Sequence, residues 1–143
     1  MQLTIALAGN PNCGKTTIFN NLTGARQKVG NWPGVTVEKK EGRLRHRGAD
    51  INVVDLPGTY SLTPFSIEEI TARDYILIQN PDVVVSIIDA SNLERSLFLA
   101  LQILELGRPV VFALNMADLA ESKGVGIDAE KLSRLLGLPV VFT

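Results

Sequence analysis

Cysteine is almost missing from this sequence: Cys13 stands alone among 143 residues. A single cysteine excludes an internal disulfide and suits a reducing compartment. Charge of one sign is missing as well, since the formal net charge is −1. There is therefore no overall basic field to draw in nucleic acid. The one local basic group, Arg43, Arg45 and Arg47 around His46, is small and lacks interleaved aromatics, and reads as a solvated face. Long apolar runs are absent too. The most apolar stretch, residues 83–90, is broken by Ser86 and Asp89 and falls far short of the ~20 residues a membrane span needs. The first residues, Met1-Gln2-Leu3-Thr4-Ile5, show no basic region leading into an apolar stretch and cleavage site, so no signal peptide is read. No repeat or low-complexity segment occurs.

What is present is ordinary for a globular protein: 45% apolar and 20% charged residues. The length predicts one domain with one core, large enough to bury roughly two-thirds of the surface its unfolded chain exposes. Apolar runs alternate with helical patterns. Residues 3–9 predict a buried strand running into a glycine loop, and residues 15–22 a helix with Ile18, Phe19 and Leu22 on one side. Residues 24–36, rich in Gly, Asn and Pro, have no periodicity and predict a long functional loop. Residues 37–47 and 51–56 read as a strand pair turned at Gly48-Ala49-Asp50. A loop over 57–64 leads to a helix over 66–79. Then follow strand 83–89, helix 92–106, strand 109–115, helix 128–136 and a last strand from Pro139. Strands this continuously apolar belong to a parallel sheet covered on both faces, and the alternation predicts a doubly wound α/β fold. In helix 92–106, Leu97, Phe98, Leu101 and Leu104 at helical spacing predict the core-facing stripe.

Ligands of such sheets bind beyond the carboxyl ends of the strands, and three motifs sit there. Gly9-Asn10-Pro11-Asn12-Cys13-Gly14-Lys15-Thr16 fits G-x-x-x-x-G-K-[ST] between a strand and a helix. Its glycines let successive N–H groups point inward at phosphate oxygens, and the following helix adds its positive end. Lys15 is expected to reach the β- and γ-phosphates and the Thr16 hydroxyl to ligate Mg²⁺, and Thr17 is counted among the nucleotide-binding residues. Asp55-Leu56-Pro57-Gly58 follows another strand. Asp55 suits a water-mediated Mg²⁺ contact, and Gly58 leaves its N–H free to approach the γ-phosphate. Alone, D-x-x-G also describes a plain turn; the 40-residue spacing from Lys15 to Asp55 leaves room for the intervening elements. Thr36, in the long loop, can offer its hydroxyl to Mg²⁺ and its N–H to the γ-phosphate.

Asn115-Met116-Ala117-Asp118 follows the strand at 109–115. An ionised Asp118 accepts from guanine N1–H and the exocyclic amine, a pair adenine lacks; such a site rejects the analogue by ~10⁴ or more. Asn115 is expected to brace the loop and approach the purine edge. Together the motifs predict a P-loop NTPase of the Ras-like G-domain type, holding GTP or GDP with Mg²⁺. Ras-type enzymes orient water with a glutamine directly after D-x-x-G; here Thr59 stands in that place, which predicts slow turnover. Cys13 reads as a small loop residue, although a helix N-terminus can lower a thiol pKa. Trp32 reads as a partner contact or as a lid over the site.

The segments GNPNCGKT, NWPGVTVE, DLPGTYSL, DASNLERSL and NMAD, in this order, resemble the cytoplasmic G domain of the FeoB ferrous iron transport proteins over essentially the whole chain. The resemblance implies a GTPase at the cytoplasmic face of the inner membrane, followed in the full-length protein by helical and transmembrane regions that are its partners; it leaves a homo-oligomer open. It implies a G domain over residues 1–143, ending before the fifth G motif. Related GTPases with G-x-P-N-x-G-K bind K⁺ beside the phosphates, which implies Asn12 as a K⁺ ligand and catalytic residue, joined by carbonyls near Gly30 and Trp32. The same asparagine pattern is shared by soluble GTPases of ribosome assembly and tRNA modification, a rival reading; a nucleotide sensor with incidental turnover is another.

Overall fold

The computed structural model describes residues 2–124 and 126–143. β1 (Gln2–Gly9) forms the middle of a seven-stranded sheet. On one side it pairs in parallel with β4 (Ala49–Asp55), which pairs antiparallel with β3 (Glu38–His46), and β3 with β2 (Gln27–Asn31). On the other side lie β5 (Val83–Asp89), β6 (Val110–Asn115) and β7 (Val140–Phe142), all parallel. Adjacent residues of one strand serve opposite faces because side chains alternate across a sheet. Ala6, Val54 and Ile88 join one core cluster, while their neighbours Leu7, Val53 and Ile87 join the other. α1 (Lys15–Thr23) covers the second face through Phe19; α2 (Ile67–Asp74) and α3 (Leu93–Glu105) cover the first through Ala72 and Leu99. Each fully buried large side chain contributes roughly 1.5–3 kcal/mol of transfer free energy.

Local chemistry sets the helix ends. Ser66 caps α2 by accepting from the Glu69 N–H at 3.1 Å, and its own hydroxyl donates to Glu69 Oε1 at 3.0 Å. α2 widens into a π-helical turn over Tyr75–Gln79. Asp128 caps α5 (Ala129–Leu136), which ends on Gly137 at φ 70°.

Five expectations change. The loop expected at 24–36 contains β2, a polar strand on the sheet edge whose residues are almost all exposed; its formation depends on β3 beside it rather than on an apolar pattern. The hairpin turns at Arg47-Gly48, both at positive φ, so that His46 faces Ala49; the right-handed twist of the strands favours this two-residue turn. α4 (Ala117–Ser122) forms where no helix was expected. Half of the expected stripe of α3 holds, since Leu97 and Leu104 pack against the core, and half faces outward. Phe98 is 58% and Leu101 43% exposed, while Ser96, Leu99, Ala100 and Ile103 face the sheet. Both sets have helical spacing; the small Ser96 and Ala100 allow a close approach to β5, and the Ser96 hydroxyl accepts the Asp89 N–H at 3.1 Å. Leu22 is likewise exposed, leaving Phe19 as the anchor of α1.

Candidate functional site

β1 ends at the point where the chain turns to either side of the sheet, the place where open α/β sheets bind ligands. Leaving Gly9, the loop makes a tight turn, with the Cys13 N–H on the Asn10 carbonyl at 3.3 Å. Asn12 and Gly14 adopt left-handed conformations at φ 65° and 91°. Asparagine tolerates this region unusually well and glycine freely. α1 then begins at Lys15 with no side-chain cap and no acid in its first turn. Its first N–H groups therefore face outward, an arrangement suited to an anion.

A cavity of about 500 Å³ opens here, lined by Asn10, Pro11, Asn12, Gly14, Lys15, Thr16, Gly58 and Met116. It is of the size small-molecule sites occupy. At its base the Lys15 ammonium is ion-paired with the Asp55 carboxylate from the end of β4, the side chains being 11% and 9% exposed. These are the groups expected to serve phosphate and Mg²⁺. Buried charges require partners, and here each is the other's.

The loop after Asp55 lies directly on the phosphate loop. Thr59 donates its N–H to the Gly9 carbonyl at 3.1 Å and accepts from Asn10 Nδ2 at 2.8 Å. A Cβ at Gly58 would stand 3.2 Å from the Pro11 backbone, tighter than ordinary van der Waals contact, so glycine suits the close approach. Thr59 itself is buried. From β6, Asn115 donates through Nδ2 to the Cys13 carbonyl at 3.0 Å, and a Cβ at Gly14 would fall 2.0 Å from that nitrogen. The segment that begins at Asn115 and the loop from Gly9 to Thr16 are thus fastened together. Thr143 adds a hydroxyl donated to Asn115 Oδ1 at 2.9 Å. Met116, at φ 59°, turns the chain into α4, whose exposed first turn carries Asp118.

Cys13 is 2% exposed; burial pushes its thiol up, against the opposing pull of the Lys15 amide and charge. It packs as a loop residue, its Sγ filling the space a side chain at Gly9 would need. Thr17 is exposed on α1, away from the cavity lining. Thr36, Gly30 and Trp32 do not line the cavity either. Gly30 lies in β2 opposite Lys39, Thr36 is exposed in the loop beyond β2, and Trp32 is a buried core residue against Tyr75. Sequence reasoning missed two links, Lys15 with Asp55 and Asn115 with Cys13. Both join residues far apart in sequence, 40 and 102 positions, and no local pattern announces them.

The model of the ferrous iron transport protein B family matches residues 3–143. The Fe(2+) transporter FeoB of Salmonella typhimurium LT2 is 57% identical over 144 residues, covering 98% of this chain and 19% of the relative. The chain thus spans about a fifth of the length of the curated relatives it matches. Among solved structures, the cytosolic domain of the T. maritima FeoB iron transporter in a GDP form superposes with a TM-score of 0.96 at 52% identity, over all of this chain and 56% of that one. Its GMPPNP form gives 0.94 at 52% identity, over 99% of this chain and 56% of that one. With the P-loop fold, the phosphate cradle and a family match over nearly every residue, the chain belongs to the ferrous iron transport protein B family and corresponds to its G domain.

Proposed function

We propose that this chain is the guanine-nucleotide switch of a ferrous iron transporter, binding GTP with Mg²⁺ and hydrolysing it slowly. The bond from Asn115 to Cys13 is the observation that supports this reading, because it ties the segment read as the purine motif to the loop read as the phosphate cradle. Lys15 and the amides of the loop hold the phosphates, and Asp118 selects guanine through N1–H and the exocyclic amine. The Thr16 hydroxyl and Asp55 carboxylate are hard oxygen donors that fit Mg²⁺, which when bound neutralises phosphate charge. Thr36 is the γ-phosphate sensor, reaching the site once the loop after β2 opens, and the Gly58 N–H is the second. Thr59 is buried with its backbone tied to the phosphate loop, which leaves no side chain there to orient water and supports slow turnover.

Asn12, on the exposed rim of the cradle, has the amide oxygen a K⁺ ion would use, with carbonyls of Gly30 and Trp32 joining after the same rearrangement. The domain acts at the cytoplasmic face of the membrane, with the helical and transmembrane regions of the full-length protein as partners; relatives named as Fe(2+) transporters support this context. No described helix of this chain is long and apolar enough to cross a membrane. Calorimetry tests the first claim: GDP is expected to bind and ADP to bind far more weakly, and equal affinities would refute guanine recognition. Hydrolysis in K⁺ against Na⁺ tests the second, with faster turnover expected in K⁺ and equal rates refuting it.

A further inference from the structure

We propose that Trp32 sets the preference between GDP and GTP by seating its indole beneath α2 and so holding Thr36 away from the γ-phosphate. This rests on the reading of Thr36 as the sensor.

The hairpin of β2 and β3 continues one step past its ladder. The Trp32 N–H bonds the Val37 carbonyl at 2.9 Å and the Val35 N–H bonds the Trp32 carbonyl at 3.2 Å. Residues 33–36 are thereby folded back on themselves, with Thr36 exposed at their end and outside the cavity lining. β2 gives this arrangement little support, since its residues are almost all exposed. Its anchor is the next residue. Trp32 is 7% exposed, within the main core cluster. Its ring meets Tyr75 edge-on, with centroids 5.5 Å apart at 70°, and Lys39 Nζ lies 4.7 Å from its centroid on the other strand of the hairpin. The indole thus pins the retracted loop to the π-helical turn that ends α2.

The seat is also built to open. A groove of about 710 Å³, lined by Trp32, Pro33, Val35, Ile70, Tyr75 and Ile78 among others, runs alongside and gives the loop room to repack. Thr36 lies inside the turn closed by the Trp32–Val37 bond, so on this proposal its movement to the phosphates opens that turn and draws the indole off Tyr75. A γ-phosphate opposes the seat, and GDP leaves it undisturbed.

Trp32 is the single tryptophan, so its fluorescence reports the seat directly. With Mg²⁺ and GDP the emission is expected to match that of the nucleotide-free protein, and with a non-hydrolysable GTP analogue to shift to the red. Tyr75→Ala removes the seat and leaves the reporter. It is expected to raise the ratio of analogue to GDP affinity about three- to tenfold, the range spanned by an aromatic pair, with a red-shifted emission already in GDP. Tyr75→Phe keeps the ring and should behave as wild type. An identical emission in both nucleotides overturns the proposal, as does a Tyr75→Ala protein that melts lower with its affinity ratio unchanged. Thr36→Ala, in the same assay, is expected to lower the ratio. If it leaves the ratio unchanged, the sensor reading itself fails, an outcome separate from any failure of the Tyr75 variants.

Discussion

Lys15 and Asp55 neutralise each other at the base of the cavity, and replacing Asp55 by asparagine removes one charge with almost no change of shape. Two unit charges in contact attract by roughly 5 kcal/mol at an effective dielectric constant of about 20. Desolvation offsets much of that when the pair forms. When one partner is deleted, however, the other charge stays buried and the loss is about 3–5 kcal/mol. Lys15 lines the open cavity and retains some access to water, which places the expected loss near ~3 kcal/mol. For a domain of this size that corresponds to a fall in Tm of roughly 6–12 °C. Phosphate oxygens then supply what Asp55 supplied. Thermal melts without Mg²⁺, with and without saturating GDP, should therefore show a larger GDP-induced rise in the variant than in wild type. GDP should also bind the variant more tightly under these conditions, because no ion pair has to be broken. An Asp55→Asn protein that melts with wild type, or an equal rise on adding GDP to both, refutes the exchange of partners at Lys15.

Asp118→Asn turns one acceptor into a donor, so affinity for GDP should fall by about 10²-fold or more while xanthosine diphosphate, which carries a carbonyl in place of the amine, gains; unchanged GDP binding refutes the role of Asp118. Hydroxyls of Ser61 at 2.5 Å, Thr63 at 2.9 Å and Ser66 at 3.0 Å donate to Glu69 and hold its carboxyl below the usual range. A lowered folded value means that the tether is fully present above the ordinary carboxylate pKa and is lost as pH falls through the folded value. Hydrogen exchange over residues 59–66 should rise only in that acidic window in wild type and already at neutral pH in Glu69→Gln; matching profiles refute the tether. Burial raises the Cys13 thiol, so alkylation at pH 8 should be slower than for an unfolded control and slower again with GDP bound. Modification at the rate of an exposed thiol refutes its burial.

The strands of the central sheet were legible because a parallel sheet covered on both faces needs continuous apolar runs, and residues 3–9, 83–89 and 109–115 are such runs. The phosphate loop was legible because its chemistry is local: two glycines, a lysine and a threonine within eight positions, all close together whatever the rest of the chain does.

Tertiary structure decided what local pattern leaves degenerate. On α3 Leu97 and Leu104 pack against the core as their spacing suggests, but Phe98 and Leu101 share that spacing and face outward, because the closeness allowed by Ser96 and Ala100 against β5 turns their side of the helix away. β2 is a strand because β3 offers it a ladder, not because Gln27-Lys28-Val29-Gly30-Asn31 reads as one. The ties from Lys15 to Asp55 and from Asn115 to Cys13 join side chains that sheet order alone brings together. Sequence by itself determined which chemical groups this protein presents and on which strand ends, since short-range spacing carries that. Which of those groups meet, and which loop stands retracted with its tryptophan buried, only the packed sheet decided, because long-range contacts depend on burying both faces at once.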